Sequence, residues 1–173
     1  MERGLIQVYT GAGKGKTTAA IGQAIRACGH GLKAIIIQFM KGKIDYGELR
    51  IAELLPNFSI EQYGLPSFVE KGNPTEDDRK LARAGFDRAR EVVQSGEFDL
   101  VILDEINVAV DYGLLALADV LKLMDEKPST VELILTGRYA HPQIARTADL
   151  VTEMVDIKHH YDKDIKARKG IEY

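Results

Sequence analysis

Nine residues, Thr10-Gly11-Ala12-Gly13-Lys14-Gly15-Lys16-Thr17-Thr18, separate a short apolar run, Leu5 to Tyr9, from a run of helical periodicity, Ala19 to Cys28. Strand, glycine-rich loop and helix in that order commit the chain to an α/β layout with a phosphate-binding loop at the end of the first strand. Glycines let the backbone fold tightly, so that consecutive N–H groups converge on phosphate oxygens while the positive end of the following helix points at the same anion. Lys16 then reaches phosphate and Thr17 offers a hydroxyl to a magnesium ion. The usual pattern has glycine where this chain has Thr10, with Gly11 one place later. A dinucleotide fingerprint does not fit, because the third glycine of that pattern falls on Lys16.

The remaining pattern alternates. Ala20/Ile21, Ala24/Ile25 and Cys28 recur at helical spacing, and Gly29 and Gly31 end that helix. Leu32 to Phe39 is a continuous apolar strand of the kind buried on both faces in parallel sheets, and Phe58 to Tyr63 is a weaker one. Glu48 to Leu55 reads as a short helix. Thr75 is an N-cap with Asp78 in the capping-box position, opening a helix whose buried stripe is Leu81, Gly85/Phe86, Ala89 and Val92/Val93. Strand Leu100 to Leu103, a helix at Leu114 to Met124, strand Val131 to Leu135, a short helix at His141 to Thr147 and strand Leu150 to Val155 complete the order. The expectation is a three-layer α/β fold of the P-loop NTPase type, with a mostly parallel central sheet and helices on both faces. At 173 residues and 45% hydrophobic content, one domain spanning 1–173 is expected. Residues 159–173 read as a polar, lysine-rich tail.

Composition narrows the function. A net charge of −3, with no basic face interleaved with aromatics, argues against nucleic acid as a partner. No apolar run approaches the ~20 residues of a membrane span, and the N-terminus opens on charged residues, so a cytoplasmic protein with no membrane partner is expected. The single cysteine, Cys28, excludes an internal disulfide and reads as a small thiol on the apolar side of the first helix.

Leu100-Val101-Ile102-Leu103-Asp104-Glu105 places two acids at the tip of an apolar strand. Alone, such a pair is usually a helix cap; behind Lys16-Thr17 it is the second half of a phosphate-loop site, where a carboxylate holds magnesium near the loop threonine. Thr17, Asp104 and Glu105 are therefore the metal candidates. Thr136-Gly137-Arg138 leaves the next strand on the same carboxyl-end edge, where Arg138 either touches phosphate or is a solvated turn residue. His159 and His160 are adjacent; on a strand they point to opposite sides, which argues against a shared metal site.

Several separated blocks together resemble one family. They are the loop from Thr10 to Ala20, Gln38-Phe39-x-Lys41-Gly42, Leu103-Asp104-Glu105-x-Asn107, Thr136-Gly137-Arg138, Ala148 to Met154, Lys158-His159 and the terminal Ala167-Arg168-Lys169-Gly170-Ile171-Glu172-Tyr173. In order and over nearly the whole chain, they resemble the P-loop ATP:corrinoid adenosyltransferases of cobalamin biosynthesis and salvage.

The resemblance implies transfer of the 5′-deoxyadenosyl group of ATP to Co(I) of a reduced corrinoid, with release of triphosphate. It implies ATP as co-substrate, Mg²⁺ or Mn²⁺, a reduced flavin or flavoprotein as electron donor, and a homodimer. The loop residues Gly11, Ala12, Gly13, Lys14, Gly15, Lys16, Thr17 and Thr18, with Arg138, become nucleotide-binding candidates; Lys16, Thr17 and Glu105 become catalytic ones. Because Co(I) carries no proton, Glu105 need not be a general base. The family is also thought to exclude the lower axial ligand of cob(II)alamin with aromatic residues. Where some members carry Gly-Phe-x-Trp, this chain reads Gly64-Leu65-Pro66-Ser67-Phe68-Val69 and has no tryptophan. Phe68 is the first candidate for the corrinoid face and Leu65 the second, the other reading of both being ordinary core residues. Ala12 stands where many members have asparagine, and His160 where proline commonly follows the histidine. The chain starts almost directly at its first strand, so cover for the site is expected from elsewhere in the fold or from a second subunit. Two other classes stay open on the residues alone: a P-loop phosphotransferase or ATPase forming ADP, and a nucleotide-dependent corrinoid carrier without chemistry.

Overall fold

The computed structural model describes residues 2–42 and 46–172, the side chain of Asp162 excepted; Tyr173 of the terminal motif lies outside them. Six strands, β1 (Ile6–Thr10), β2 (Ala34–Phe39), β3 (Phe58–Tyr63), β4 (Leu100–Asp104), β5 (Glu132–Thr136) and β6 (Leu150–Glu153), form one sheet in the order β3-β2-β4-β5-β1-β6. Every pairing is parallel, with Val8 beside Leu135 on one side and Val151 on the other, and Gln38 beside Asp104.

Alternation along the central strands feeds two cores. Ala34, Ile36, Leu100, Ile102 and Ile134 face α1 (Lys16–Gly29), which presents Ala20, Ala24 and Ala27; Ala52 of α2 (Gly47–Leu54) packs at the margin of the same cluster. Small alanines let the helix that follows the phosphate loop lie close to the sheet. Ile35, Ile37, Phe39, Val101, Leu103, Leu133 and Leu135 face the other side, against α3 (Glu76–Ser95), α4 (Ile106–Asp111), α5 (Leu117–Glu126) and α6 (Pro142–Thr147). This is the three-layer α/β arrangement read from the alternation, and no helix among the described residues is long and apolar enough to cross a membrane.

Local signals place most boundaries. Thr75 and Asp78 form the expected capping box: the Thr75 hydroxyl accepts from the Asp78 amide at 3.1 Å, and the Asp78 carboxylate accepts from the Thr75 amide at 2.9 Å. The buried stripe of α3 includes Ala82 in place of the expected Leu81, which is half-buried. Gly85 allows α3 to approach the sheet, since a Cβ there would stand 2.8 Å from Tyr63. Helix α4 has no counterpart among the elements expected from the sequence. Its N-cap, Glu105, takes a left-handed conformation with φ 63°, so the strand ends in a sharp turn instead of running on. The helix expected over Leu114–Met124 begins at Leu117, with Leu114 and Leu115 buried in the connection before it.

Candidate active site

The loop between β1 and α1 is shaped by the end of β6. Thr10 is the last residue of its strand, and its hydroxyl accepts from the Ala140 amide at 3.2 Å. The glycine therefore falls one place later: Gly11 has φ +97°, and a Cβ there would lie 2.4 Å from the Met154 carbonyl oxygen. Gly13 is equally constrained, its amide donating to that carbonyl at 2.7 Å. Gly15, with φ +118°, turns the chain into α1, whose N-terminus has no side-chain cap and no acidic residue in its first turn. The free N–H groups and the positive helix end remain available to an anion. Lys16 is nearly buried and donates to the Gly13 carbonyl at 2.6 Å. Burial pulls its ammonium below the ordinary value, against the opposing pull of Glu105.

At the tip of β4, Asp104 is fully buried and both its oxygens are engaged. Oδ1 accepts from Thr17 at 2.8 Å and Thr136 at 2.7 Å; Oδ2 accepts from Gln38 at 3.1 Å and Lys41 at 2.8 Å. Burial pushes this carboxyl upward, but Lys41 and the threonine hydroxyls outweigh it and hold it below its ordinary value. Lys41 shows the reverse balance: burial lowers it, Asp104 raises it, and the net shift is up. Glu105 differs. Its amide donates to the Thr136 hydroxyl at 3.0 Å, but among the described residues its carboxylate accepts no hydrogen bond. Burial first, and Asp104 second, push that carboxyl up.

Several of these groups border one cavity of about 790 Å³. Of the residues singled out from sequence, Lys14, Gly15, Lys16, Thr17, Thr18, Leu65, Phe68, Glu105 and Arg138 line it; Gly11, Ala12, Gly13 and Asp104 do not. Gly11 and Gly13 shape the loop from behind, Ala12 is exposed, and Asp104 acts on the wall through Thr17 and Lys41. Phe68 is 98% exposed, so it is no core residue, whereas Leu65 is half-buried. Arg138 follows Gly137, whose φ of +125° favours glycine and where a Cβ would crowd Asn107, Glu105 and Val108 at 3.2 Å.

Sequence reasoning missed part of this wall. Lys41, Tyr46, Tyr112 and Tyr139 line the cavity, as do Gly170, Ile171 and Glu172 from the segment read as a polar tail. Lys41 lay inside a quoted motif, and its partner Asp104 lies across a strand pairing that only the fold reveals. The two histidines, expected on opposite sides of a strand, are not on one. Instead β6 stops at Glu153, a 3₁₀ turn spans His160–Lys163, and the two rings stack at 4.4 Å. No cluster of three or more His, Cys, Asp or Glu suited to a metal occurs among the described residues.

Residues 2–173 match the family described as ATP:corrinoid adenosyltransferase BtuR/CobO/CobP. The chain is 39% identical to a corrinoid adenosyltransferase of Escherichia coli over 172 residues, covering 99% of this chain and 87% of that one. It is 37% identical to corrinoid adenosyltransferase CobA of Salmonella typhimurium over 172 residues, with the same two coverages of 99% and 87%. A KaiC-like protein of Pyrococcus horikoshii superimposes with a TM-score of 0.58 at 17% identity, over 88% of this chain and 73% of its own, which is a likeness of fold. Blocks, fold and relatives converge: the chain belongs to the ATP:corrinoid adenosyltransferase family.

Proposed function

We propose that this single-domain enzyme transfers the 5′-deoxyadenosyl group of ATP to Co(I) of a reduced corrinoid and releases inorganic triphosphate. The observation that carries the reading is the shared cavity, in which the phosphate loop and the apolar residues Leu65, Phe68, Val69, Tyr112 and Tyr139 line one volume. The electron pair of Co(I) forms the Co–C bond while the C5′–O bond breaks and its pair leaves with the triphosphate. The nucleophile brings no proton, so the protein's work is alignment and stabilisation of the leaving charge. Lys16 leaves the Gly13 carbonyl for a phosphate oxygen, the amides of Lys14 to Thr17 and the α1 terminus complete the cradle, and Arg138 approaches the same phosphates.

The oxygen donors fit a hard divalent cation. Thr17 offers a hydroxyl already oriented by Asp104, and Glu105 offers a carboxylate with no hydrogen bond of its own among the described residues. One or two protein oxygens plus substrate phosphates is how Mg²⁺ is commonly held, without a protein-only cage. We assign Thr17 and Glu105 to direct contact and Asp104 to orienting Thr17. A Mg²⁺ or Mn²⁺ ion bound there supplies charge neutralisation on the triphosphate. The resemblance to the family further supports a reduced flavin or flavoprotein donor, a homodimer and a cytoplasmic location.

The test is an anaerobic mixture of protein, ATP, Mg²⁺ and chemically reduced cob(I)alamin, followed by absorbance, with the nucleotide products then separated. A light-sensitive alkyl-cobalt spectrum together with triphosphate is expected. Unalkylated cobalt with ADP accumulating overturns the reading.

A further inference from the structure

One charged side chain beside the cavity has so far no role. Lys71 follows the loop that carries Leu65 and Phe68, and its ammonium stands 2.6 Å from Asp111 Oδ2. The same group lies over two aromatic rings, 5.6 Å from the centre of Tyr112 and 4.9 Å from that of Tyr139. Asp111 ends α4, Tyr112 is its C-cap, and Tyr139 stands in the turn after β5. One ammonium thus joins three separate segments, and both of its tyrosines line the cavity with Leu65, Phe68 and Val69.

Little else fastens that loop. At one end Gly64 abuts the backbone of Met40 and Lys41; at the other, Thr75 caps α3. Between them Val69 packs against the core, while Phe68 is 98% exposed. Among the described residues, the only side-chain hydrogen bond from the 65–72 stretch is that of Lys71 to Asp111. Tyr139 also carries a backbone cost, since its φ of 61° lies in the left-handed region that aromatic residues seldom occupy, and the Lys71 ammonium over its ring is one contact that holds this turn. A lone surface ion pair contributes little, but here it converges with two cation–π contacts on a loop whose other side-chain anchor is the packing of Val69. Its effect belongs in the shape of the cavity wall more than in global stability.

We propose that Lys71 is a positioning residue for the corrinoid, a latch that holds the Leu65–Val69 loop against Asp111, Tyr112 and Tyr139 so that both apolar parts of the wall meet the macrocycle together. This rests on the reading of the cavity given above. It assigns Lys71 no contact with reacting atoms.

The experiment measures KM for cob(I)alamin, KM for ATP, kcat and Tm in the wild type and in Lys71→Met, Lys71→Arg and Phe68→Ala. Lys71→Met keeps the aliphatic stem and is expected to raise the corrinoid KM about tenfold, with the ATP KM and kcat within about twofold and Tm almost unmoved. Lys71→Arg, which can pair with Asp111 and stack on the rings, restores the corrinoid KM to within about threefold of the wild type. The latch is overturned if Lys71→Met leaves the corrinoid KM unchanged while Phe68→Ala raises it; the cavity reading then stands without it. Equal rises in both KM values, or no recovery with arginine, also overturn it, since they report general damage. If neither Lys71→Met nor Phe68→Ala moves the corrinoid KM, the corrinoid does not use this wall, and the underlying reading fails together with the latch.

Discussion

Replacing Lys41 by methionine removes the cation that faces Asp104 and leaves a carboxylate with no solvent exposure. Oδ1 keeps the Thr17 and Thr136 hydroxyls, but Oδ2 is left with Gln38 alone, at 3.1 Å. Breaking one side of such a buried pair costs about 3–5 kcal/mol, a large share of a typical total stability of about 5–15 kcal/mol. Asp104→Asn costs less, about 1–3 kcal/mol, because the Lys41 side chain is 17% exposed and can turn its ammonium toward the cavity. In the double variant neither member of the Lys41–Asp104 pair carries a charge. The neutral amide that replaces the Asp104 carboxylate needs no cation, Gln38 and Gln62 can exchange their amide ends to suit it, and methionine fills the volume of the lysine stem. The double variant is therefore expected to be more stable than Lys41→Met alone, although it carries one substitution more. Urea unfolding of all four proteins, without nucleotide or metal and with m compared across the set, measures the coupling. If the two single losses simply add in the double variant, the charge-pair account of the β4 tip is wrong.

Lys16→Ala removes the phosphate-directed ammonium and is expected to lower kcat by about 10²–10³, as for other donors aimed at developing charge, in the cob(I)alamin alkylation assay; retention of near wild-type turnover contradicts its role. Phe68→Ala changes an exposed side chain, so stability should stay within about 0.5 kcal/mol, while activity coupled to reduction of cob(II)alamin falls much further than activity with chemically prepared Co(I). Equal losses in the two assays remove Phe68 from ligand exclusion. Asp99 accepts a hydrogen bond from the Lys33 amide at 2.9 Å, and this bond holds its carboxyl below the ordinary 3.8. A depressed carboxyl contributes stability that is present above its unfolded value and is lost as pH falls through the folded one. The wild type should therefore lose part of its stability advantage over Asp99→Asn gradually, as pH falls through the acid range around and below the ordinary carboxyl value of 3.8, and parallel acid-unfolding curves for the two proteins refute this.

What the sequence disclosed was mostly local. The Thr75–Asp78 capping box, the unbroken run of β2 and the strand-loop-helix order around Lys16 each depend on residues a few places apart, where composition and spacing carry the physics. Helix α4 escaped because it is short and its β-branched Ile106, Val108 and Val110 weaken the local helical signal; the left-handed Glu105 at its N-cap is a tertiary choice, held by the Thr136 hydroxyl. Lys41 could not be paired with Asp104 from spacing, since β2 meets β4 and not the next strand in sequence on that side. The phase of α3, with Ala82 buried in place of Leu81, shows a size effect: the helix turns its smaller side chain toward the tightly packed sheet. At the candidate site the charged loop residues were legible. The tyrosines were not, because Tyr46, Tyr112 and Tyr139 come from three unrelated segments with no motif of their own.

The strand order also governs when the phosphate loop can come into being. β1 is the first strand made, yet among the described residues it pairs with β5 and β6, so Val8 waits for Leu135 and Val151. Gly13 likewise waits for the Met154 carbonyl. During synthesis β2, β3 and β4 can pair among themselves while the nucleotide loop is still an unpaired N-terminal strand. The assembled form of the nucleotide loop therefore needs a chain that is complete through β6. Shortening the protein from its C-terminal end into β6 is thus an operation on the nucleotide loop, although that loop lies at the opposite end of the sequence.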